Sequence, residues 1–155
     1  MANVVPYAFP VELLSGTHNF ANAGNQFTMS LYTAIPGYST ASTVYLAGTV
    51  NGEVDTTGGS QYAPYAWVNT DNAVSNVANY ATVDWTANPN WGTPTPATFA
   101  ARYAAIYNVT SSNKLVVILD FGATFSCSNG TFTVTLPAPT AGTPSGADAI
   151  LSINS

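Results

Sequence analysis

Charge is what this sequence has least of. Two Lys/Arg and seven Asp/Glu stand among 155 residues, 6% of the chain, where an ordinary soluble domain carries about 25%. Ser, Thr and Asn together supply roughly a third of the residues, so hydroxyls and amides rather than ions must wet the surface. The formal net charge of -5 and the pI near 4.1 count against a nucleic-acid partner, because phosphate contacts need clustered Lys and Arg. Cysteine is nearly absent as well. The lone Cys127 excludes an intramolecular disulfide, and no Cys/His cluster has zinc spacing, so neither a metal nor another cofactor is expected. The single histidine, His18, sits in a polar loop with no motif around it, which leaves Ser or Cys without an evident base. A structural role is expected for His18, and an enzyme is the least favoured class. No apolar run approaches the length of a membrane span, and the start MANVVPYAFPVELLSG lacks the basic end and unbroken apolar core of a secretory signal. The expectation is synthesis in a cytoplasm, with no membrane partner.

What is there reads as strands. The chain is long enough to bury a core without staples, and no linker divides it, so residues 1–155 are expected to form one domain. The expected class is all-β, an antiparallel β-sandwich with a short N-terminal helix. Pro6 or Pro10 suits the start of that helix and Gly16 its end, with Val11, Leu13 and Leu14 as the buried side. From Gln26 to Thr33 the residues alternate, Phe27, Met29 and Leu31 on one face and Thr28, Ser30 and Tyr32 on the other. A short strand is expected over Thr43 to Val50, a tight turn at Asn51 and Gly52, and a further break at Gly58 and Gly59. Pro64 confines the strand in Gln61 to Asn69 to an edge or a bulge. Val74 to Trp85 carries the apolar set Val77, Tyr80, Val83 and Trp85, and the loop Thr86 to Pro96 is stiffened by three prolines. After a turn at Asn129 and Gly130, Phe132, Val134 and Leu136 should face inward. A connector rich in Pro, Gly and Thr (Pro137 to Gly146) then leads to a last strand over Ala149 to Ile153.

The most strongly patterned stretch is Phe99 to Phe121. Ala100 to Tyr107 alternates, Leu115 to Phe121 is almost entirely aliphatic, and the Asn, Thr and Ser of Asn108 to Asn113 favour a turn between them. Pairing centred on Ser111 sets Arg102 opposite Asp120, Ala104 opposite Ile118 and Ile106 opposite Val116 on one face. Arg102 and Asp120 are thus a candidate structural pair, expected to be buried.

The other carboxylates, Glu12, Glu53, Asp55, Asp71, Asp84 and Asp148, are scattered. Glu53 and Asp55 beside glycines resemble a fragment of a calcium loop, yet the remaining oxygen ligands are missing. Asn108 and Asn129 head glycosylation sequons that chance explains in a chain without a secretory signal. Tyr62, Tyr65, Trp67, Trp85 and Trp91 form an aromatic set with two uses: core or subunit contact, which is the commoner fate, or a platform on which sugar rings stack.

Three runs carry a resemblance: Ala101-Arg102-Tyr103-Ala104-Ala105-Ile106-Tyr107, Asp120-Phe121-Gly122, and Ser128-Asn129-Gly130-Thr131-Phe132-Thr133-Val134. They resemble the C-terminal half of a family of small tailed-bacteriophage virion proteins with the pattern ARYAVIY, an aliphatic strand ending DFG, and SNGTFTI. Leu13-Leu14-Ser15-Gly16 and Gly52-Glu53-Val54 with Gly58-Gly59 are similar more loosely. The resemblance implies a structural protein of the virion, above all a capsid decoration (cement) protein, commonly trimeric. Such a protein is made in the host cytoplasm and sits on the capsid surface, bound to the major capsid protein. A tail or neck component is the alternative within virions, and a carbohydrate-binding module using the Trp and Tyr set is the alternative outside them.

Overall fold

A computed structural model describes residues 3–35, 37–57, 60–77, 80–137 and 150–154. The break expected at Gly58 and Gly59 and nearly all of the Pro137 to Gly146 connector lie outside these. The elements are α1 (Ala8–Leu14), β1 (Phe27–Tyr32), β2 (Tyr65–Ala66), β3 (Asn72–Val77), β4 (Tyr80–Trp85), β5 (Asn90–Trp91), β6 (Ala97–Asn108), β7 (Lys114–Gly130), β8 (Phe132–Thr133) and β9 (Leu151–Asn154). The protein is mostly β, and every pairing among the described strands is antiparallel. β2, β1, β6 and β7 lie side by side in one sheet, β3, β4 and β9 in a second, and β5 pairs with β8.

β1 shows why the alternation in the sequence was informative and where it stopped being so. Phe27, Met29 and Leu31 enter the main core with Trp67, Trp85 and Val116, as period-2 geometry requires. The other face is not wet, however: all six residues of β1 are buried. Residues 33–54 fold across it, and Tyr38 packs there with Tyr32, Ala105, Leu115 and Ile118 in a second cluster. That segment replaces the strand expected over Thr43 to Val50. It makes two isolated bridges, Val44 to Lys114 and Glu53 to Tyr32, and is fastened by Val54 N donating to Leu31 O at 2.9 Å and Tyr45 N donating to Asn113 O at 2.9 Å.

The helix forms where expected, but it is turned. Phe9 and Glu12 are its buried residues, whereas Val11 is 68% and Leu14 90% exposed. Phe9 enters the main core with Leu13 packed against it, as expected for Leu13, and the Glu12 carboxylate meets His18 and Lys114; with 100° between successive residues this leaves Val11 and Leu14 outward. β2 is an edge strand, as Pro64 requires, but only Tyr65 and Ala66 pair, with Met29 and Thr28. The segment ending at Trp85 is a hairpin, Val74 opposite Val83, and β9 adds Leu151 beside Val83.

The central hairpin departs from the expected register by one residue. Tyr103, not Arg102, lies opposite Asp120, and Ala105 opposite Ile118. The first of two irregularities causes this. The pairing slips between Ile106 and Tyr107, and between Ala101 (opposite Phe125) and Tyr103 (opposite Asp120) residues 121–124 of β7 bulge out across from Arg102 alone. Gly122, at φ 82°, lies in that bulge. β7 therefore continues to Gly130 instead of ending at Phe121.

The expected turn at Asn51 and Gly52 is present, with Gly52 at φ 83°. A Cβ there would lie 2.1 Å from the backbone oxygen of Ala34, so backbone strain and a backbone clash act together. Gly52→Ala should cost about 2 kcal/mol or more, read as a lower urea midpoint with unchanged slope.

Candidate functional site

The five aromatics singled out from the sequence come together, but inside the molecule. Trp67 and Trp85 stack with ring centres 4.6 Å apart, Tyr65 meets the edges of Trp67 and Trp91, and Tyr62 lies against Trp91 and Phe99. Tyr62, Trp67, Trp85 and Trp91 are buried and Tyr65 is half-buried. Each indole N–H is satisfied within the protein: Trp67 on Ala87 O at 2.7 Å, Trp91 on Ala63 O at 2.7 Å, Trp85 on Asn72 Oδ1 at 3.1 Å. Their faces are covered by one another and by Phe20, Phe27, Phe99 and Phe132. A sugar-stacking platform or a subunit contact needs open ring faces, so those two uses are set aside and the core reading, the commoner fate expected from the sequence, describes these rings. The rings join β2, β4, β5, β6 and β8 into one cluster.

His18 is also internal. It is 4% exposed, and its Nε2 meets Glu12 Oε2 at 3.1 Å. Its Nδ1 lies 3.1 Å from Asn108 Nδ2. An amide nitrogen can only donate, so Nδ1 accepts and the ring is neutral, with its proton on Nε2 directed at Glu12. Lys114 closes the group with an ammonium on Glu12 Oε1. Burial holds the His18 imidazolium below its ordinary range despite the Glu12 carboxylate. Burial alone would raise the Glu12 carboxyl, but hydrogen bonds from Lys114 and His18 outweigh it and leave it below the usual carboxylate range. Both ring nitrogens are in use and no hydroxyl or thiol is hydrogen-bonded to them. His18 ties α1 to β6.

A second internal hub was not visible in the sequence. Glu53 is 5% exposed; it accepts Tyr45 OH at 2.7 Å, Tyr62 OH at 3.3 Å and Gly48 N at 2.6 Å. Tyr62 OH in turn accepts Leu31 N at 2.8 Å. Burial raises the Tyr45 and Tyr62 phenols well above their ordinary range, so they stay neutral donors. Glu53 thus fastens the 33–54 segment to β1 instead of serving the calcium-loop fragment considered above. Among the described residues no group of three His, Cys, Asp or Glu side chains converges, and no helix is long and apolar enough to cross a membrane.

Arg102 and Asp120 do meet, Nε to Oδ1 at 3.2 Å, although not through the expected register. The bulge puts Arg102 beside Tyr103, its guanidinium 5.2 Å from the centre of that ring, on the opposite face from Ala104 and Ile106. Its side chain is 35% exposed whereas that of Asp120 is 3% exposed, so the buried pair expected from the sequence is corrected to a half-open one, with the acid covered and the cation reaching the surface.

Among the described residues the few buried polar side chains are engaged inside the fold, and one stretch of the surface is apolar. Tyr7, Val11 and Leu14, spaced as i, i+4 and i+7 along α1, are 74%, 68% and 90% exposed. Beside them a groove of about 760 Å³ opens between α1 and the β4–β9 sheet, lined by Pro10, Leu13, Leu14, Val74, Leu151 and Ile153 among others. No charged residue lines it. The sequence signal was present in Val11 and Leu14, but propensity cannot say which side of a short helix is buried.

No protein-family model, curated protein or solved structure matches this chain.

The His18 geometry sets a pH dependence. Its folded value lies below the unfolded one, so its contribution is complete above about pH 6.5 and is lost as pH falls through the folded value. His18→Gln can still donate to Glu12 but does not titrate. The stability difference between the wild type and this variant should therefore be largest above neutrality and shrink toward pH 5, measured by urea unfolding across pH.

Proposed function

We propose that this is a structural protein of a bacteriophage virion, with capsid decoration the role we favour: it binds the outer surface of the major capsid protein shell and holds neighbouring subunits together. The observation that carries the proposal is the contrast between inside and outside. The histidine and two of the buried carboxylates are committed to internal hydrogen bonds, while α1 and its groove expose a contiguous uncharged apolar surface. Large exposed apolar patches mark association surfaces, and an uncharged patch lets a chain of net charge -5 meet its own copies without like-charge repulsion. The resemblance of the 101–107, 120–122 and 128–134 runs to small tailed-phage virion proteins supplies the class of assembly. On a symmetric shell many weak contacts add through avidity.

Within this proposal the architecture is an antiparallel sandwich. The four-stranded sheet faces the β3–β4–β9 sheet across the Trp67–Trp85 stack, and the protein acts as a homo-oligomer, most simply a trimer. It resides on the capsid surface after synthesis in the host cytoplasm, and needs no cofactor and no catalysis.

A protein inventory of purified virions by mass spectrometry should find this chain at a copy number comparable to that of the major capsid protein. A few tens of copies would point to a tail tube and about a dozen to a neck. Light scattering should give a trimer in solution; a monomer, both free and on shells, overturns the oligomer.

Leu14→Asp should weaken shell binding about tenfold or more, since a buried unpaired carboxylate is expensive. Val50→Asp, at a position 85% exposed on the 49–51 turn, should leave binding unchanged.

A further inference from the structure

The carboxylates outnumber the Lys/Arg cations by seven to two, and both cations are spoken for: Lys114 meets Glu12 and Arg102 meets Asp120. Most of the remaining acids need no cation. Glu53 has its tyrosines, while Asp55 is fully exposed to solvent and bonded by Thr57. Asp84 is different. It lies on β4, is 6% exposed, and is hydrogen-bonded by one group, the Trp85 backbone N–H at 2.8 Å to Oδ1. A carboxylate accepts about four hydrogen bonds, and a buried charge without a partner is costly.

Asp84 also opens onto a cavity of about 380 Å³. Leu136 and Pro137 give this cavity an apolar wall, and Ser75 and Thr86 stand on its polar side. Asn88 fixes the wall by accepting Leu136 N at 2.8 Å. The Thr86 hydroxyl donates to Asp71 at 3.2 Å and Ser75 Oγ is paired with Thr82 Oγ1 at 2.7 Å, so both oxygens keep a lone pair for an incoming N–H. A buried carboxylate, hydroxyl acceptors and an apolar wall suit a cationic side chain, with the head on the acid and the methylene stem against the wall.

We propose that the Asp84 cavity is a socket for a Lys or Arg side chain of a partner protein, which supplies the cation that this chain lacks. Only the partner's identity rests on the shell-binding role; the chemistry of the socket does not. Burial pushes the Asp84 carboxyl up to about 6 in the free protein, so the socket is ionised at neutral pH and fills with a proton below about pH 6. Its contribution to stability is complete below the ordinary carboxylate range and is lost as pH rises through about 6. Among the described residues no other titratable side chain lines the cavity, and Asp71 stands one hydrogen bond away, through Thr86.

The test uses N-acetyl-arginine amide and N-acetyl-lysine amide as probes, with N-acetyl-norleucine amide as the uncharged control, followed by carboxyl-carbon NMR of the full chain. The cationic amides should bind weakly at pH 7.5, shift the Trp85 signals, and lower the Asp84 titration by about one unit, a tenfold preference for the ionised form. Binding should weaken at least several-fold at pH 5. Asp84→Asn keeps an oxygen for Trp85 N–H, so it should melt no lower than the wild type at pH 7.5 while losing cation binding at least tenfold; Asp71→Asn should keep it. Equal binding of the norleucine amide, an Asp84 titration unmoved by saturating arginine amide, or loss of binding in Asp71→Asn but not in Asp84→Asn each overturns the socket. The NMR titration is read on the wild type, so it holds even if a variant fails to fold. If virions lack the protein but the amides bind as described, the shell role falls and the socket stands.

Discussion

The contact on which the rest depends is the Glu12 carboxylate held between Lys114 and His18. Lys114 begins β7, His18 reaches through Asn108 to the end of β6, and Glu12 lies at mid-helix, so one buried carboxylate joins α1 to both strands of the central hairpin where they turn. Removing one partner from such a group leaves an uncompensated charge in a poorly solvated place, which is worse than never having had the pair. In a chain with two cations this is a large commitment.

The sheet that carries the hairpin is covered on both faces by different chemistry. One face is closed by stacked rings, with Phe20 on Phe27 at 4.5 Å and Trp67 on Trp85 at 4.6 Å. The other is closed by a loop whose Tyr45 bonds to Glu53 and whose Tyr38 bonds to Tyr32 of β1, hydroxyl to hydroxyl at 2.9 Å. The first gains from area and ring geometry. The second gains because a phenol can be buried only if its hydroxyl finds a partner. Glu12, His18, Glu53 and the indoles are thereby engaged inside the fold.

Residue pattern alone determined the β character, the β1 alternation, the hairpin with its turn, the edge position imposed by Pro64 and the left-handed Gly52. These depend on neighbours within a few residues, where backbone sterics and side-chain period act directly. Composition also determined that several acids must go without a Lys or Arg partner, though not that a buried one would be among them. Only the tertiary structure decided which acid that was, that the five aromatics are core instead of surface, that residues 121–124 bulge opposite Arg102, and that α1 turns Val11 and Leu14 outward. Each of these depends on a partner distant in sequence: β8 on β5 for Trp91, Lys114 on Glu12 for the helix, the bulge in β7 for Arg102. Burial is settled by what packs against a residue, and a local pattern says only that something must.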